Sequence, residues 1–114
     1  MLTRKDTDVS RSTELVAEAA RRIVEEVHPL QIVLFGSAAR GEMMPDSDLD
    51  LLVVVSDGTD RLETTFRIHR RLRGLGCATD IVVVQESEVG ALRDNPYVII
   101  HTALTEGKEL YHAA

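Results

Sequence analysis

Two aspartates, Asp48 and Asp50, stand two residues apart at the start of an apolar run at residues 51–55. On a β-strand, side chains with this spacing share a face and lie roughly 6.6 Å apart. At an effective dielectric constant of about 20, two carboxylates at that distance repel each other by roughly 2 to 3 kcal/mol. A bound divalent cation would reverse the sign of this interaction. An isolated pair usually indicates a solvated acidic turn, but Asp50 enters a strand predicted to be buried on both faces, which favours a metal site.

Two common ion- and phosphate-binding motifs do not fit this segment. A calcium-binding EF-hand loop requires glycine at its sixth position, which is Leu51 in this sequence. Gly36 and Gly41 have the spacing of a phosphate-binding P-loop, but Glu42 occupies the place of its lysine and Met43 that of its serine or threonine. A carboxylate facing the phosphates would repel them. Both motifs are therefore excluded.

The pair Gly36 and Ser37 directly follows an apolar run at residues 32–35, which we predict to be the first strand. Glycine permits a tight turn and a close approach of the backbone. Ser37 and the amides of a short helix predicted after it are donors suited to a phosphate group. A Gly-Ser pair alone usually indicates only a turn. Its position about ten residues before Asp48, with Arg40 between them, makes a phosphate-binding role more specific.

This combination of residues resembles the signature of the nucleotidyltransferases of the DNA polymerase β superfamily. The segments GSAARG at residues 36–41 and SDLDLLVV at residues 47–54 are similar to those of the minimal nucleotidyltransferases, the small members of two-gene systems with HEPN-domain proteins. The resemblance covers nearly the whole chain, and Ser47 belongs to its motif. It implies a single nucleotidyltransferase domain with a metal-dependent active site.

The family also carries a third carboxylate on a later strand, and Asp80, directly before the apolar run at residues 81–84, matches that place. Without the upstream pair, such an aspartate is most often a turn or cap residue. The resemblance implies that Asp48, Asp50 and Asp80 hold two Mg²⁺ ions and that Asp80 helps to take the proton of the acceptor. Because these ligands are all oxygen atoms, Mg²⁺ is preferred over softer metals.

The resemblance further implies that Gly36 and Ser37 cradle the β- and γ-phosphates of a nucleoside triphosphate, with ATP as the expected substrate. Arg40 would either reach the phosphates or brace Asp48, and the sequence leaves both roles open. The implied reaction transfers a nucleoside monophosphate to an acceptor hydroxyl and releases pyrophosphate.

The family's pairing with HEPN-domain proteins implies the partner. The expected acceptor is a hydroxyl of such a protein, and the chain is expected to be the antitoxin of a HEPN toxin–antitoxin pair. The alternative is a non-catalytic antitoxin that masks a HEPN ribonuclease by contact. A drug-modifying nucleotidyltransferase fits less well, since those resemble longer chains with an extra helical domain around the acceptor. The preferred base, the identity of the acceptor and any association between copies of the chain stay open.

The length and net charge of the chain limit the number of domains and the kinds of partner that it can have. A chain of 114 residues is expected to form one domain, here residues 12–114 after a flexible N-terminus at residues 1–11. A net charge of -6 and only four aromatic residues argue against direct nucleic-acid binding. No apolar run reaches the roughly 20 residues that span a membrane. We therefore expect a cytoplasmic protein without a membrane partner.

The predicted fold is an α/β (α+β) domain with a mixed β-sheet and, as the resemblance implies, helices packed mainly on one side. Apolar periodicity and turn residues predict the elements. They are a helix at residues 12–27, strands at 32–35, 51–55 and 77–84, helices at 60–75, 86–93 and 95–105, and an edge strand at 110–111. The inner face of the helix at 60–75 is predicted to comprise Leu62, Phe66, His69 and Leu72. The first two strands are too close in sequence for a parallel crossover, so we expect them to be antiparallel.

Overall fold

The computed structural model describes the backbone of residues 4–41, 48–95 and 98–113, and the side chains of 13–41, 48–95 and 98–113. The helices are α1 (Arg4–Val27), α2 (Gly36–Ala39), α3 (Arg61–Arg71), α4 (Glu86–Leu92) and α5 (Ile99–Glu106). The strands are β1 (Gln31–Phe35), β2 (Leu49–Val55), β3 (Thr79–Gln85) and β4 (Lys108–His112). Within this part of the chain, no helix is long and apolar enough to cross a membrane.

The strands form one mixed sheet in the order β3-β2-β1-β4. β1 is antiparallel to β2, as predicted, and also to β4. β2 and β3 are parallel, and α3 lies in the connection between them. Parallel strands begin at the same edge of a sheet, and an antiparallel neighbour ends there. The start of β2, the start of β3 and the end of β1 therefore meet at one edge.

Apolar side chains cover both faces of the sheet, which explains the continuous apolar run of β2. Leu51 and Val53 pack with α1 and α3 on one face, and Leu52 and Val54 pack with α5 on the other. Burial of β2 on both faces confirms the prediction for residues 51–55. The two longest helices share one face, as the resemblance implies, and the shorter α4 and α5 cover part of the other.

Helix α1 begins at Arg4, eight residues before the predicted start at residue 12. Residues 4–11 contain neither proline nor glycine, so nothing in their sequence stops a helix. The predicted periodicity is confirmed, since Ala19 and Ile23 are fully buried. The predicted end is also confirmed, because the helix stops at Val27, two residues before Pro29. The flexibility expected for residues 1–11 stays a prediction.

The inner face predicted for α3 is wrong for three of its four residues. The structure buries Thr64 and Ile68 together with Leu72, while Leu62 is 83% exposed and Phe66 62% exposed; His69 is exposed as well. Asp60 caps the helix by accepting a hydrogen bond from the Glu63 amide at 3.0 Å. α3 carries two apolar stripes, and the stripe that contains Ile68 packs into the core formed with β2 and β3.

The C-terminal third follows the predicted order of elements with shifted boundaries. The short helix predicted at residues 86–93 is α4, and the helix predicted from residue 95 begins at Ile99 as α5. Its predicted first residues, Pro96 and Tyr97, lie outside the described residues. Gly107 follows the end of α5, and a Cβ atom there would overlap the Ala103 carbonyl of the same helix and lie 2.8 Å from the Leu34 carbonyl of β1. The predicted edge strand is β4.

Candidate active site

Asp50 and Asp80 face each other at the edge where β2 and β3 begin. They are direct partners in the parallel ladder, and each shares a face with the apolar residues two positions on, Leu52 and Val82. Neighbouring strands lie about 4.8 Å apart, so two side chains in this arrangement are adjacent. The sequence predicts Asp50 and Asp80 near the starts of two strands, and the register shows that these strands are neighbours.

A backbone hydrogen bond fixes this register. The Leu49 amide donates to the Ala78 carbonyl at 3.0 Å, just before each aspartate. Leu49 is fully buried. Because a parallel ladder is continuous from this bond onward, Asp50 cannot shift relative to Asp80 without exposing the apolar residues of β2.

Asp48 lies immediately before β2 and is exposed, whereas Asp50 is partly buried. The pKa of Asp50 is raised above its ordinary value, first by burial, then by the negative charges of Asp80 and Asp48. The positive charge of Arg40 acts in the opposite direction and lowers the same pKa. The three carboxylates and the guanidinium therefore form one electrostatic cluster centred on Asp50.

Gly36 allows the end of β1 to lie directly against Asp50. Its φ is +72°, in the region that side chains rarely adopt. A Cβ atom at this position would overlap the Asp50 carboxylate, with the Asp50 Cγ only 3.1 Å away. The sequence suggested a close approach of the Gly36 backbone to phosphate. The close approach to Asp50 was missed, since it follows from the antiparallel pairing of Phe35 with Asp50, which no local motif reveals.

Ser37 and Arg40 lie on the segment that continues from Gly36. The four-residue helix α2 begins directly at the end of β1, with Ser37 in its first turn and partly exposed. Arg40 caps its C-terminus and is exposed. The sequence left Arg40 a role toward phosphate or toward Asp48. The structure adds a third, since Arg40 lies close enough to Asp50 to favour its charged form. Ser47 lies outside the described residues.

The chemistry of the donor set fits a hard divalent cation. Asp48, Asp50 and Asp80 offer only carboxylate oxygens, which are the ligands that Mg²⁺ prefers. In the described ranges, no group of three or more His, Cys, Asp or Glu side chains is already arranged to hold an ion. The charges of the carboxylates also favour a cation. Burial and mutual repulsion destabilise the charged form of Asp50 and raise its pKa, and a bound cation would offset that repulsion.

We predict that the Asp50→Asn substitution stabilises the metal-free protein more strongly as pH rises. Because the pKa of Asp50 is raised in the folded state, folding favours the protonated carboxyl. The stability contributed by this proton is fully present below the ordinary carboxyl pKa of 3.8. It is lost as pH rises through the folded-state pKa. Asparagine is neutral throughout, so the difference in free energy of unfolding between variant and wild type should grow with pH above that value. Urea unfolding across a pH series in EDTA measures it; a constant difference would contradict the electrostatic cluster.

Comparison with known proteins identifies the family to which the chain belongs. Residues 16–102 match the family model described as a nucleotidyltransferase domain. No curated protein matches this sequence. A protein from Sulfolobus solfataricus described as a nucleotidyltransferase shares the fold, with a TM-score of 0.65 and 19% identity over 98% of this chain and 90% of that chain.

Two toxin–antitoxin crystal structures share the fold as well. One contains AMP-PNP and has a TM-score of 0.60 at 24% identity over 85% of this chain and 73% of that chain. The other is a variant of the MntA–HpeT toxin–antitoxin, with a TM-score of 0.60 at 19% identity over 84% of this chain and 71% of that chain. Since the family model covers most of the described sheet and the candidate site, the chain belongs to the nucleotidyltransferase domain family.

Proposed function

We propose that this chain is a Mg²⁺-dependent enzyme that transfers AMP from ATP to a hydroxyl of a partner protein and releases pyrophosphate. The observation that carries the proposal is the pairing of Asp50 with Asp80 across parallel strands, with Gly36 against Asp50 on the other side. Family membership supports nucleotidyl transfer as the reaction class. The site residues, the metal and the acceptor are the parts that the proposal adds.

Asp48, Asp50 and Asp80 would hold the metal. Mg²⁺, when bound, neutralises phosphate charge and makes a hydroxyl a better nucleophile. Asp50 would be the central one of these residues, because it lies between Asp80 and the end of β1. Its raised pKa disfavours the carboxylate only while no cation is present. Binding of a cation and the triphosphate is therefore expected to be cooperative, because the cation neutralises the carboxylates that repel the phosphates and the phosphate oxygens complete the coordination of the cation.

The covalent step needs only the acceptor, the triphosphate and a proton acceptor. The acceptor oxygen forms a bond to the α-phosphorus, and the bond from that phosphorus to the oxygen bridging to the β-phosphorus breaks. Pyrophosphate leaves with the electron pair of the broken bond. Asp80 is exposed and would accept the hydroxyl proton, as general bases do within hydrogen-bonding distance.

The turn at Gly36 and Ser37 would hold the β- and γ-phosphates. Ser37 is partly exposed on α2, and its hydroxyl and the neighbouring amides are donors. Arg40 would supply positive charge to the leaving pyrophosphate from the same segment. Phosphoryl transfer depends mainly on positioning and charge stabilisation, which these groups can provide without covalent chemistry of their own.

The partner is proposed from the structural neighbours. One toxin–antitoxin neighbour was crystallised with AMP-PNP, an ATP analogue. The other carries Asp-to-Glu substitutions at two positions two residues apart, the spacing of Asp48 and Asp50. The first finding supports ATP as the substrate, and both support a role in a toxin–antitoxin pair. A toxin of the HEPN type, whose hydroxyl would accept AMP, is the part that the proposal adds.

A second function, masking of the toxin by contact alone, is favoured by one observation. Leu62 and Phe66 form an exposed apolar pair near the start of α3, which follows the C-terminal end of β2. The aspartates lie at the opposite end of that strand. A partner bound there would not require catalysis. The two functions differ in one outcome, because a toxin masked by contact stays neutralised by the Asp50→Asn variant.

The proposed function is tested by label transfer. The protein is incubated with Mg²⁺, ATP labelled at the α-phosphate and the protein encoded by the adjacent gene. We expect label on that partner, on a tyrosine or another hydroxyl, with an equal amount of pyrophosphate released. Aminoglycoside and RNA acceptors serve as comparisons. Efficient labelling of either of these, with none of the partner, would contradict the proposal.

We also predict that Mg²⁺ and ATP stabilise the protein together. A ligand that binds only the folded state at ~100 times its dissociation constant adds about 2.7 kcal/mol to the free energy of unfolding. For a domain of this size that is a rise in Tm of about 10 °C. Mg²⁺ alone and ATP with EDTA are the controls and should each give a much smaller rise. Equal shifts with and without Mg²⁺ would contradict a metal-bridged site.

A further inference from the structure

The residues proposed to bind phosphate, to bind metal and to accept the proton lie on three neighbouring strands of the sheet. At the edge where β2 and β3 begin, Gly36 at the end of β1 comes first, then Asp50 on β2, then Asp80 on β3. The phosphate-binding turn thus lies on one side of the carboxylates. The other side is the free edge of β3, beyond which the described residues contribute no further strand. The free edge of β3 is thus the side on which an acceptor can lie beside Asp80 in the plane of the sheet.

The backbone of β3 presents a regular row of hydrogen-bonding groups on this edge. The bond from the Leu49 amide to the Ala78 carbonyl sets the phase of the parallel ladder. In that phase the amides of Asp80 and Val82 point toward β2, and those of Thr79, Ile81 and Val83 point away. Within the described residues, no backbone hydrogen bond reaches these outward groups.

The two edges of the sheet differ in how they are protected. β4, at one edge, carries Lys108 and Glu109, and its pairing with β1 is interrupted between Ile32 and Val33. Charges and irregular pairing are devices that prevent a further strand from adding. β3, at the other edge, pairs without interruption over seven residues and has three consecutive valines. Its single charge, Asp80, belongs to the candidate site.

We propose that the acceptor is an extended protein segment that pairs with the free edge of β3 and places its hydroxyl residue opposite Asp80. This rests on the proposed transfer of AMP to a protein. Addition of a strand to a sheet edge is a general mode of peptide recognition, in which backbone bonds give affinity and alternate side chains give specificity. Continuity with the candidate site selects this occupant, because Asp80, which would take the proton, is the second residue of this edge strand.

The geometry also defines the chemistry of the segment. A residue opposite Asp80 in an added strand shares its face and lies about 4.8 Å away, the same spacing that separates Asp50 from Asp80. Its hydroxyl can give its proton to Asp80, while its oxygen attacks the α-phosphorus and pyrophosphate leaves on the side of Gly36. A residue two positions along the segment lies beside Val82, which is partly buried, so an apolar side chain is expected there.

An RNA acceptor is disfavoured by the same features. RNA has no alternating amide and carbonyl groups to continue a strand ladder. Its phosphates would also lie beside Asp80 on a chain with a net charge of -6. RNA labelling is therefore an outcome that would contradict the inference.

The test uses the whole protein with Mg²⁺, α-labelled ATP and short model acceptors. The first probe is a peptide with a central tyrosine, valines on both sides and terminal lysines. The second is the same peptide with every backbone amide N-methylated, which cannot donate to a strand. The third is N-acetyltyrosine amide. We expect the first to be labelled at least about tenfold faster than the other two, since each lost hydrogen bond weakens pairing by up to about that factor.

A matched pair of variants tests the protein side. Thr79→Pro removes an outward amide, and proline is tolerated where an edge amide faces solvent. Thr79→Val keeps the amide and serves as the control. The proline variant should label the first peptide more slowly than the control, by up to about tenfold. Both variants should label N-acetyltyrosine amide equally and show the same Tm shift with Mg²⁺ and ATP.

The outcomes separate this inference from the function on which it rests. Equal labelling of the free and N-methylated peptides, or equal labelling of the peptide by the two Thr79 variants, would overturn strand pairing alone. Preferred labelling of an RNA oligonucleotide would overturn both, because the proposed function requires a protein acceptor. Absence of label on every acceptor, with no stabilisation by Mg²⁺ and ATP, would overturn the proposed function and this inference with it. If Thr79→Pro does not fold, the peptide comparison still decides.

Discussion

Asp50→Asn is expected to lower transfer at least about a hundredfold while the fold stays as stable as the wild type or becomes more stable. Metal-bound charge stabilisation contributes several kcal/mol to transition states of this kind, and each 1.36 kcal/mol is a factor of ten in rate. Asparagine keeps the size of the side chain that lies against Gly36, so packing is retained. Burial and the negative charges of Asp80 and Asp48 disfavour the charged form of Asp50. Removal of this charge should therefore raise the Tm of the metal-free protein by up to about 4 °C.

Asp57→Asn is the matched control, because it makes the same change just beyond the opposite end of β2. Asp57 accepts a hydrogen bond from the Ser87 amide at 2.9 Å through an oxygen that asparagine also has. Transfer should stay within about twofold of the wild type. Asp48→Asn should behave like Asp50→Asn in transfer. The decisive signature is an inversion, in which the Asp50 variant is more stable in EDTA and less stable with Mg²⁺ and ATP. Unfolding of either site variant would indicate a structural role for that residue.

The same variant separates the two functions proposed for the chain. If transfer neutralises the toxin, loss of transfer by Asp50→Asn leaves the toxin active. If contact neutralises it, the variant protects as well as the wild type, and polar substitutions at Leu62 and Phe66 abolish protection instead. These two residues are exposed, so their substitution should cost less than about 0.5 kcal/mol of stability. The exposed pair on α3 and the carboxylates at the start of β2 can thus be tested independently.

The sequence predicted the parts of the site that depend on short segments. An apolar run of the length of one strand follows Asp48 and Asp50, which predicted that both aspartates lie at the start of a strand. The prediction is confirmed, since β2 begins at Leu49, between them. The short separation of the first two strands gave their antiparallel pairing. Both are local arguments, because strand length and loop length are properties of consecutive residues.

Features that depend on tertiary contacts were not predicted correctly from the sequence. α3 has apolar residues on two stripes, and only contact with β2 and β3 decides that Ile68 faces inward while Leu62 and Phe66 face solvent. A helical period cannot choose between two stripes of similar hydrophobicity. The start of α1 was also missed, since the polar residues 4–11 lack apolar periodicity but form helical backbone.

The contact between Gly36 and Asp50 shows the same limit at the site itself. The glycine was recognised from its place in a motif, but its steric partner is fourteen positions away in the sequence. That partner is set by which residue of β2 pairs with Phe35. A shift of one residue in this register would turn Asp50 to the other face of the sheet. Gly36 therefore admits the Asp50 carboxylate, in addition to the phosphate-binding role proposed for it.

Gly36→Ala is accordingly expected to cost about 2 to 5 kcal/mol of unfolding free energy and to abolish transfer. A left-handed conformation costs alanine about 1 to 2 kcal/mol, and overlap with the Asp50 carboxylate adds about 1 to 3 kcal/mol. Gly74→Ala is the control for the first cost alone, because Gly74 has φ +78° and no atom within 4 Å of an added Cβ. In an Asp50→Ala background the overlap is gone, so Gly36→Ala should then cost no more than Gly74→Ala does. Urea unfolding of the single and double variants gives the coupling energy, expected at about 1 to 3 kcal/mol. Additive effects would mean that Gly36 is required for its backbone conformation only and not for the approach to Asp50.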